Sequence, residues 1–179
     1  MFRDSAAGYL GATDQRQRVR ALEEQGGGFD RAAWKQMAEL GWMAILVPED
    51  LGGLALGMSE VAAIAEEVGR QLLPEPYVDA GVFPLALLAR LPASRLRDAL
   101  LSRMAAGDVV AGVALQEHAG PIESGTVATV VTARDGDRVR LRGLKRFVRP
   151  GPGADGWIVS ALCDGRPTGC SGSAHRRQA

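Results

Sequence analysis

Histidine and cysteine are scarce in this 179-residue chain, at two residues each. Cys163 and Cys170 form no CxxC pair, and only His118 and His175 could join them. That is too few ligands for a structural zinc site and too few thiols for a disulfide framework. Idle thiols in a reducing compartment are the plainer reading. Net charge is lacking too: 21 Lys and Arg balance 21 Asp and Glu, whereas a dedicated nucleic-acid binder carries a basic excess. Long apolar runs are absent. The longest, from Ala80 to Ala89, is interrupted by Pro84 and closed by Arg90, too short to span a bilayer. The opening residues Met1-Phe2-Arg3-Asp4-Ser5 lack the apolar segment of a signal peptide. The expectation is a soluble, cytoplasmic protein with no metal, membrane or nucleic-acid partner.

What is present is patterned. Phe2, Ala6, Tyr9 and Leu10 recur at helical spacing. Asp30 can cap a helix carrying Trp34, Met37 and Leu40 that stops near Gly41. Ser59 can cap another, with Glu60 in its first turn, that buries Val61, Ile64, Ala65 and Val68 and ends at Gly69. Residues 77–91 are apolar nearly all round, which predicts a central buried helix bent at Pro84. Leu96, Leu100 and Met104 stripe the next. From Asp108 the period changes. Val109 to Leu115, Thr126 to Ala133, the alternating Val139 and Leu141, and Trp157 to Cys163 read as strands, with Phe147 to Arg149 as a further candidate. Asp135-Gly136-Asp137 is a hairpin signal. The fold class is therefore α+β: an all-α domain over 1–107, then an incomplete antiparallel, barrel-like β domain over 108–165. The aperiodic stretch 166–179 reads as an unstructured tail, with a shifted reading frame as one origin.

Three segments could carry chemistry. Gly151 to Gly156 matches GxGxxG in letters, but a strand-like run follows it where the dinucleotide fingerprint needs a helix. Arg138, Arg140, Arg142, Lys145, Arg146 and Arg149 form a basic cluster. Its plain reading is a solvated hairpin face; a site for cofactor phosphates comes second, and nucleic acid a distant third without interleaved aromatics. Gln116-Glu117-His118 follows a strand end, where loop residues and cofactor-binding groups both occur.

Trp34-Lys-Gln-Met-Ala-Glu-Leu-Gly-Trp-Met-Ala-Ile-Leu-Val-Pro-Glu-Asp-Leu-Gly-Gly53 resembles an early segment of the acyl-CoA dehydrogenase family. Two further blocks follow in order. Glu66 to Arg70 with Leu72 to Tyr77 resembles the family's next helix and turn, closest to actinobacterial-type members acting on steroid or other bulky acyl-CoAs. Lys145 to Asp155 resembles its "GxKxWITNGxxAD" stretch. The resemblance covers about residues 1–163. It implies a helical domain, a β domain and then a four-helix bundle that this chain does not reach. It implies FAD and an acyl-CoA substrate, a homo- or hetero-oligomer, and α,β-dehydrogenation with a carboxylate base in or beside the bundle. No catalytic residue is assigned here.

The same resemblance places cofactor contacts at Leu115, Gln116, Phe147, Val148 and Arg149. Gln116 stands where the family's flavin-loop threonine is expected, and Ile122 where its serine is. Phe147 replaces a tryptophan, Val148 an isoleucine, Arg149 a threonine and Pro150 an asparagine. Phe147 could pack on the isoalloxazine, and Gln116 could hydrogen-bond its pyrimidine edge. Three readings stand: a flavoenzyme subunit, a non-catalytic partner in a heteromeric dehydrogenase, or an inactive truncated product.

Overall fold

The structure is a computed structural model that describes residues 2–120, 127–136, 138–151 and 153–172. Six α-helices precede five strands: α1 Phe2–Gly11, α2 Gln15–Glu24, α3 Arg31–Glu39, α4 Met58–Gln71, α5 Phe83–Arg90, α6 Arg95–Ala105, β1 Ala111–Ala114, β2 Val130–Asp135, β3 Arg138–Arg142, β4 Gly156–Cys163 and β5 Arg166–Gly172.

Local chemistry explains most helix ends. Asp30 caps α3 by accepting from the Ala32 N–H at 2.8 Å. Asp14 caps α2 by accepting from the Arg16 and Gln17 N–H groups at 3.0 and 3.2 Å. The sequence reading missed α2 because its residues 15–24 are mostly polar and only Gln15 is buried. Long-range polar contacts hold it instead. Arg18 donates to Gln15 at 2.6 Å and pairs with Glu75, whose side chain is fully buried. Helix α4 starts two residues earlier than the Ser59 cap predicts. Gly57 is the cap, and its N–H donates to the Glu60 carboxylate at 3.0 Å. The helix also passes Gly69 and ends with Leu72 in the left-handed region.

The apolar stretch 77–91 is not one bent helix. Residues Tyr77–Val82 form a π-helical turn, in which the Phe83 N–H reaches back to the Val78 carbonyl, and α5 follows. Pro84 sits in the first turn of α5, where no intrahelical donor is missed. One face is buried through Tyr77, Ala80, Val82, Leu85 and Leu88, while Val78 and Phe83 are exposed. In α6 the buried side is set by Leu101, Met104 and Ala105, and Leu96 is 61% exposed. Of the expected stripe, Met104 is buried and Leu100 packs against the core, while Leu96 at the helix start faces outward.

The core is continuous from helices to sheet. Trp34, Met37, Trp42, Met43, Ile45 and Tyr77 pack with Leu101, Met104, Val110, Ala111 and Ile158. Tyr9, Trp42 and Tyr77 meet edge to face, with centroids 5.6 and 6.1 Å apart, the arrangement ring quadrupoles favour. Helix α3 also clips the sheet from outside. Arg31 donates to the Gly153 carbonyl and the Asp155 carboxylate at 2.6 and 2.7 Å, and Lys35 to the Ala106 carbonyl and Asp108 at 2.7 and 2.6 Å. Asp155 turns its other oxygen to the Val110 N–H at 2.8 Å. Burial pushes the Asp155 carboxyl up, but Arg31 and the Val110 N–H outweigh it and hold it below the usual range.

The sheet is open and mixed, which corrects the antiparallel expectation. β4 runs parallel to β1, from Ala111↔Gly156 to Ala114↔Val159, and parallel to β2 at Val130↔Leu162. β2–β3 and β4–β5 are antiparallel. The candidate strand 147–149 is only a single bridge, Val113↔Arg149. The expected tail is corrected as well: residues 166–172 pair with residues 157–163 of β4. Residues 173–179, Ile122 and Asp137 lie outside the described residues.

Candidate functional site

β1 is buried throughout, and the chain leaves it as Leu115-Gln116-Glu117. The segment after β3, residues 143–149, crosses this exit. Three fixtures join the two. The Arg146 N–H donates to the Gln116 carbonyl at 2.8 Å. Arg149 bridges Val113. Lys145 Nζ donates to the Leu115 carbonyl at 3.1 Å, to Glu117 Oε1 at 2.7 Å and to Ser160 Oγ at 2.8 Å on β4.

The Glu117–Lys145 pair is shielded, with side chains 7% and 9% exposed. Glu117 also accepts from the Ala128 N–H, the Thr129 N–H and the Thr129 hydroxyl at 2.6, 2.9 and 2.6 Å. Desolvation raises its carboxyl. The hydrogen bonds from Lys145, Thr129 and Ala128 win, and its pKa falls to about 2. This pair is the principal feature that sequence reasoning missed. By sequence Lys145 sits among the arginines of the basic cluster, and Glu117 is one of three polar residues at a strand end. The signal lay in opposite charges on the two segments that the family resemblance brings together.

Two glycines permit the close approach. A Cβ on Gly112 would lie 2.2 Å from the Arg149 carbonyl oxygen, and one on Gly143 would lie 2.3 Å from the Thr129 hydroxyl. Any side chain there would push the segments apart.

A cleft of about 260 Å³ opens beside this junction, lined by Asp79, Phe83, Val113, Leu115, Gln116, Arg146, Phe147 and Arg149. Four of the five residues assigned from the resemblance therefore share one cavity: Leu115, Gln116, Phe147 and Arg149. Val148 is half-buried and does not line it. Phe147 has a φ of +54° and is 68% exposed, an uncommon backbone conformation for a bulky side chain. The Gln116 amide nitrogen donates one N–H to the Gly120 carbonyl at 2.8 Å, which leaves its second N–H and its side-chain oxygen to offer a ligand. His118 is exposed. Asp79 and Phe83, contributed by the helical part, were not anticipated.

A second groove of about 310 Å³ lies between α6, β1 and β4, walled by Leu96, Leu100, Met104, Val109, Trp157 and Ile158. Its Asp155 is already held by Arg31 and Val110. Residues 151–156 lead into β4 and not into a helix, so the GxGxxG letters carry no phosphate cradle. Among the described residues no group of three metal-ligating side chains converges, and no helix is long and apolar enough to cross a membrane.

The acyl-CoA dehydrogenase N-terminal domain family matches residues 1–108. The acyl-CoA dehydrogenase FadE27 of Mycobacterium tuberculosis is 31% identical over 145 residues, covering 81% of this chain and 37% of FadE27. Among solved structures, a glycine-to-alanine variant of the steroid ACAD Tcur3481–Tcur3483 superposes with a TM-score of 0.79 at 27% identity, covering 95% of this chain and 46% of that one. The ChsE4–ChsE5 complex from Mycobacterium tuberculosis superposes with a TM-score of 0.77 at 27% identity, covering 96% and 47%. The chain thus spans less than half the length of these relatives. With the family's N-terminal domain matched across more than half of its residues, and with the helix-then-sheet fold of its solved members, the chain belongs to the acyl-CoA dehydrogenase family.

Proposed function

We propose that the chain forms the helical and first β portions of an FAD-dependent acyl-CoA dehydrogenase, and that the 260 Å³ cleft receives the flavin ring. The observation that carries the reading is the convergence of Gln116 and Phe147 on one cavity from segments about thirty residues apart. The groups suit a flat, electron-accepting ring. Phe147 offers an aromatic face, Gln116 an acceptor oxygen, and Arg146 and Arg149 positive charge beside a ring that becomes anionic on reduction. The flavin, when bound, supplies the hydride acceptor for α,β-dehydrogenation of an acyl-CoA thioester. Leu115, Gln116, Phe147 and Arg149 are assigned to holding it, with Val148 packing behind. The cleft is slightly smaller than complete small-molecule pockets, which run roughly 300–1,000 Å³, as befits a site that encloses one part of a large cofactor. Steroid or other bulky acyl-CoAs are the proposed substrates, since the relatives include a steroid ACAD. A homo- or hetero-oligomeric assembly in the cytoplasm is the proposed context.

A second reading is a flavin-poor partner subunit. It is favoured by Arg149 in the place where the family resemblance expects a flavin-contacting threonine. FAD titration followed by flavin fluorescence separates the two. The first reading expects saturable binding that Phe147→Ala weakens several-fold, in line with ~0.5–1.5 kcal/mol for an aromatic contact. Absence of binding to a folded protein favours the second, and tight binding untouched by Phe147→Ala and Gln116→Ala rejects the placement.

A further inference from the structure

Phe147 poses a mechanical question. Its backbone lies in the left-handed region while most of its ring faces solvent. Ring packing therefore does not hold the strained conformation. Residues kept in such regions need surroundings that over-determine them. The restraint must come from the flanking chain. Two residues before Phe147, the Lys145 ammonium is fastened to Leu115, Glu117 and Ser160. One residue before, the Arg146 N–H is fastened to Gln116. Two residues after, Arg149 is bridged to Val113. The Lys145 anchor is the side-chain anchor of the set, and it ends on a carboxylate that is itself fixed by three donors from residues 128 and 129.

We propose that Glu117 and Lys145 are positioning residues of the cleft: their buried ion pair locks segment 115–117 to segment 145–149, so that Gln116 and Phe147 are held facing one cavity before any ligand arrives. The pair does not line the cleft. It acts through its neighbours, lowering the ordering cost that a flexible site would pay on binding. The inference rests on the flavin reading of the cleft for its ligand, but the lock itself can be observed without one.

The test compares the wild-type chain, Lys145→Arg, and the double variant Glu117→Gln with Lys145→Met. The double variant keeps the bulk of both side chains and leaves no unpaired buried charge, which would otherwise be strongly destabilising. Two quantities are read: FAD affinity, and hydrogen exchange at the Arg146 amide with helix amides as the folding control. The lock predicts that the double variant loses roughly tenfold in affinity, about 1.4 kcal/mol. It also predicts faster exchange at Arg146 with the helices unchanged, and Lys145→Arg stays near wild type. A pair that only fills space would be satisfied by methionine, so wild-type affinity and protection in the double variant overturn the proposal. If the wild type shows no FAD binding, the cofactor reading fails separately. Arg146 exchange then decides the lock alone: accelerated exchange in the double variant sustains it, and equal protection rejects it.

Discussion

At the scale of single residues, the junction depends on two absent side chains as much as on those present. Gly112→Ala would drive a methyl into the Arg149 carbonyl, and Gly143→Ala would drive one into Thr129, the residue that fixes Glu117. Each is expected to cost about 1–3 kcal/mol by overpacking, read as a lowered urea midpoint, and to weaken FAD binding more than an equally destabilising change in α1. Glu117 contributes acid sensitivity alongside Asp155. The Glu117 carboxyl is depressed from an ordinary 4.5 to about 2, so its contribution is complete above pH 4.5 and is lost as pH falls through about 2. Urea unfolding across that window should show wild type losing stability that Glu117→Gln, never having had it, does not lose; parallel profiles would refute this. Such residues were half legible in the sequence. The resemblance marked Leu115, Gln116, Phe147 and Arg149, and the cleft gathers them. Lys145 looked like one more surface cation, because burial of a charge depends on partners 28 and 15 residues away, which no local pattern records.

At the scale of elements, periodicity served where burial is one-sided and local. Helix α3 begins and ends where Asp30 and Gly41 place it. It failed where tertiary partners decide. Helix α2 presents no apolar stripe and survives on Asp14, Gln15 and Arg18. Asp14→Ala should therefore destabilise by about 1 kcal/mol and raise hydrogen exchange first within 15–24; an unchanged exchange pattern there would show that Arg18 and Glu75 alone suffice. The run 77–91 departs from the expected all-round burial because apolar composition does not say which face is covered. Its exposed Phe83 borders the cleft. The parallel pairing of β1 with β4 joins residues 45 apart in register, and strand spacing cannot reveal that.

At the scale of the whole molecule, helices and sheet share one core through Leu101, Met104, Val110, Ala111 and Ile158, and α3 clips them together at Asp108 and Asp155. The two parts should consequently melt as one unit. Far-ultraviolet dichroism and amide exchange of β4 are expected to report the same urea midpoint, and a sheet that opens while the helices persist would count against it.

The extended pairing of β5 has a further consequence. β3 meets solvent with Arg138, Arg140 and Arg142, charges that repel a neighbouring strand. Among the described residues β5 pairs with β4 alone, and after Arg166 it holds no charge through Gly172. Among the described residues its outward margin meets no further strand, and its sequence gives that margin no electrostatic guard. Chains at high concentration should therefore stack margin to margin, visible as concentration-dependent light scattering, and Thr168→Lys should suppress that growth while a lysine added to the already guarded β3 should not.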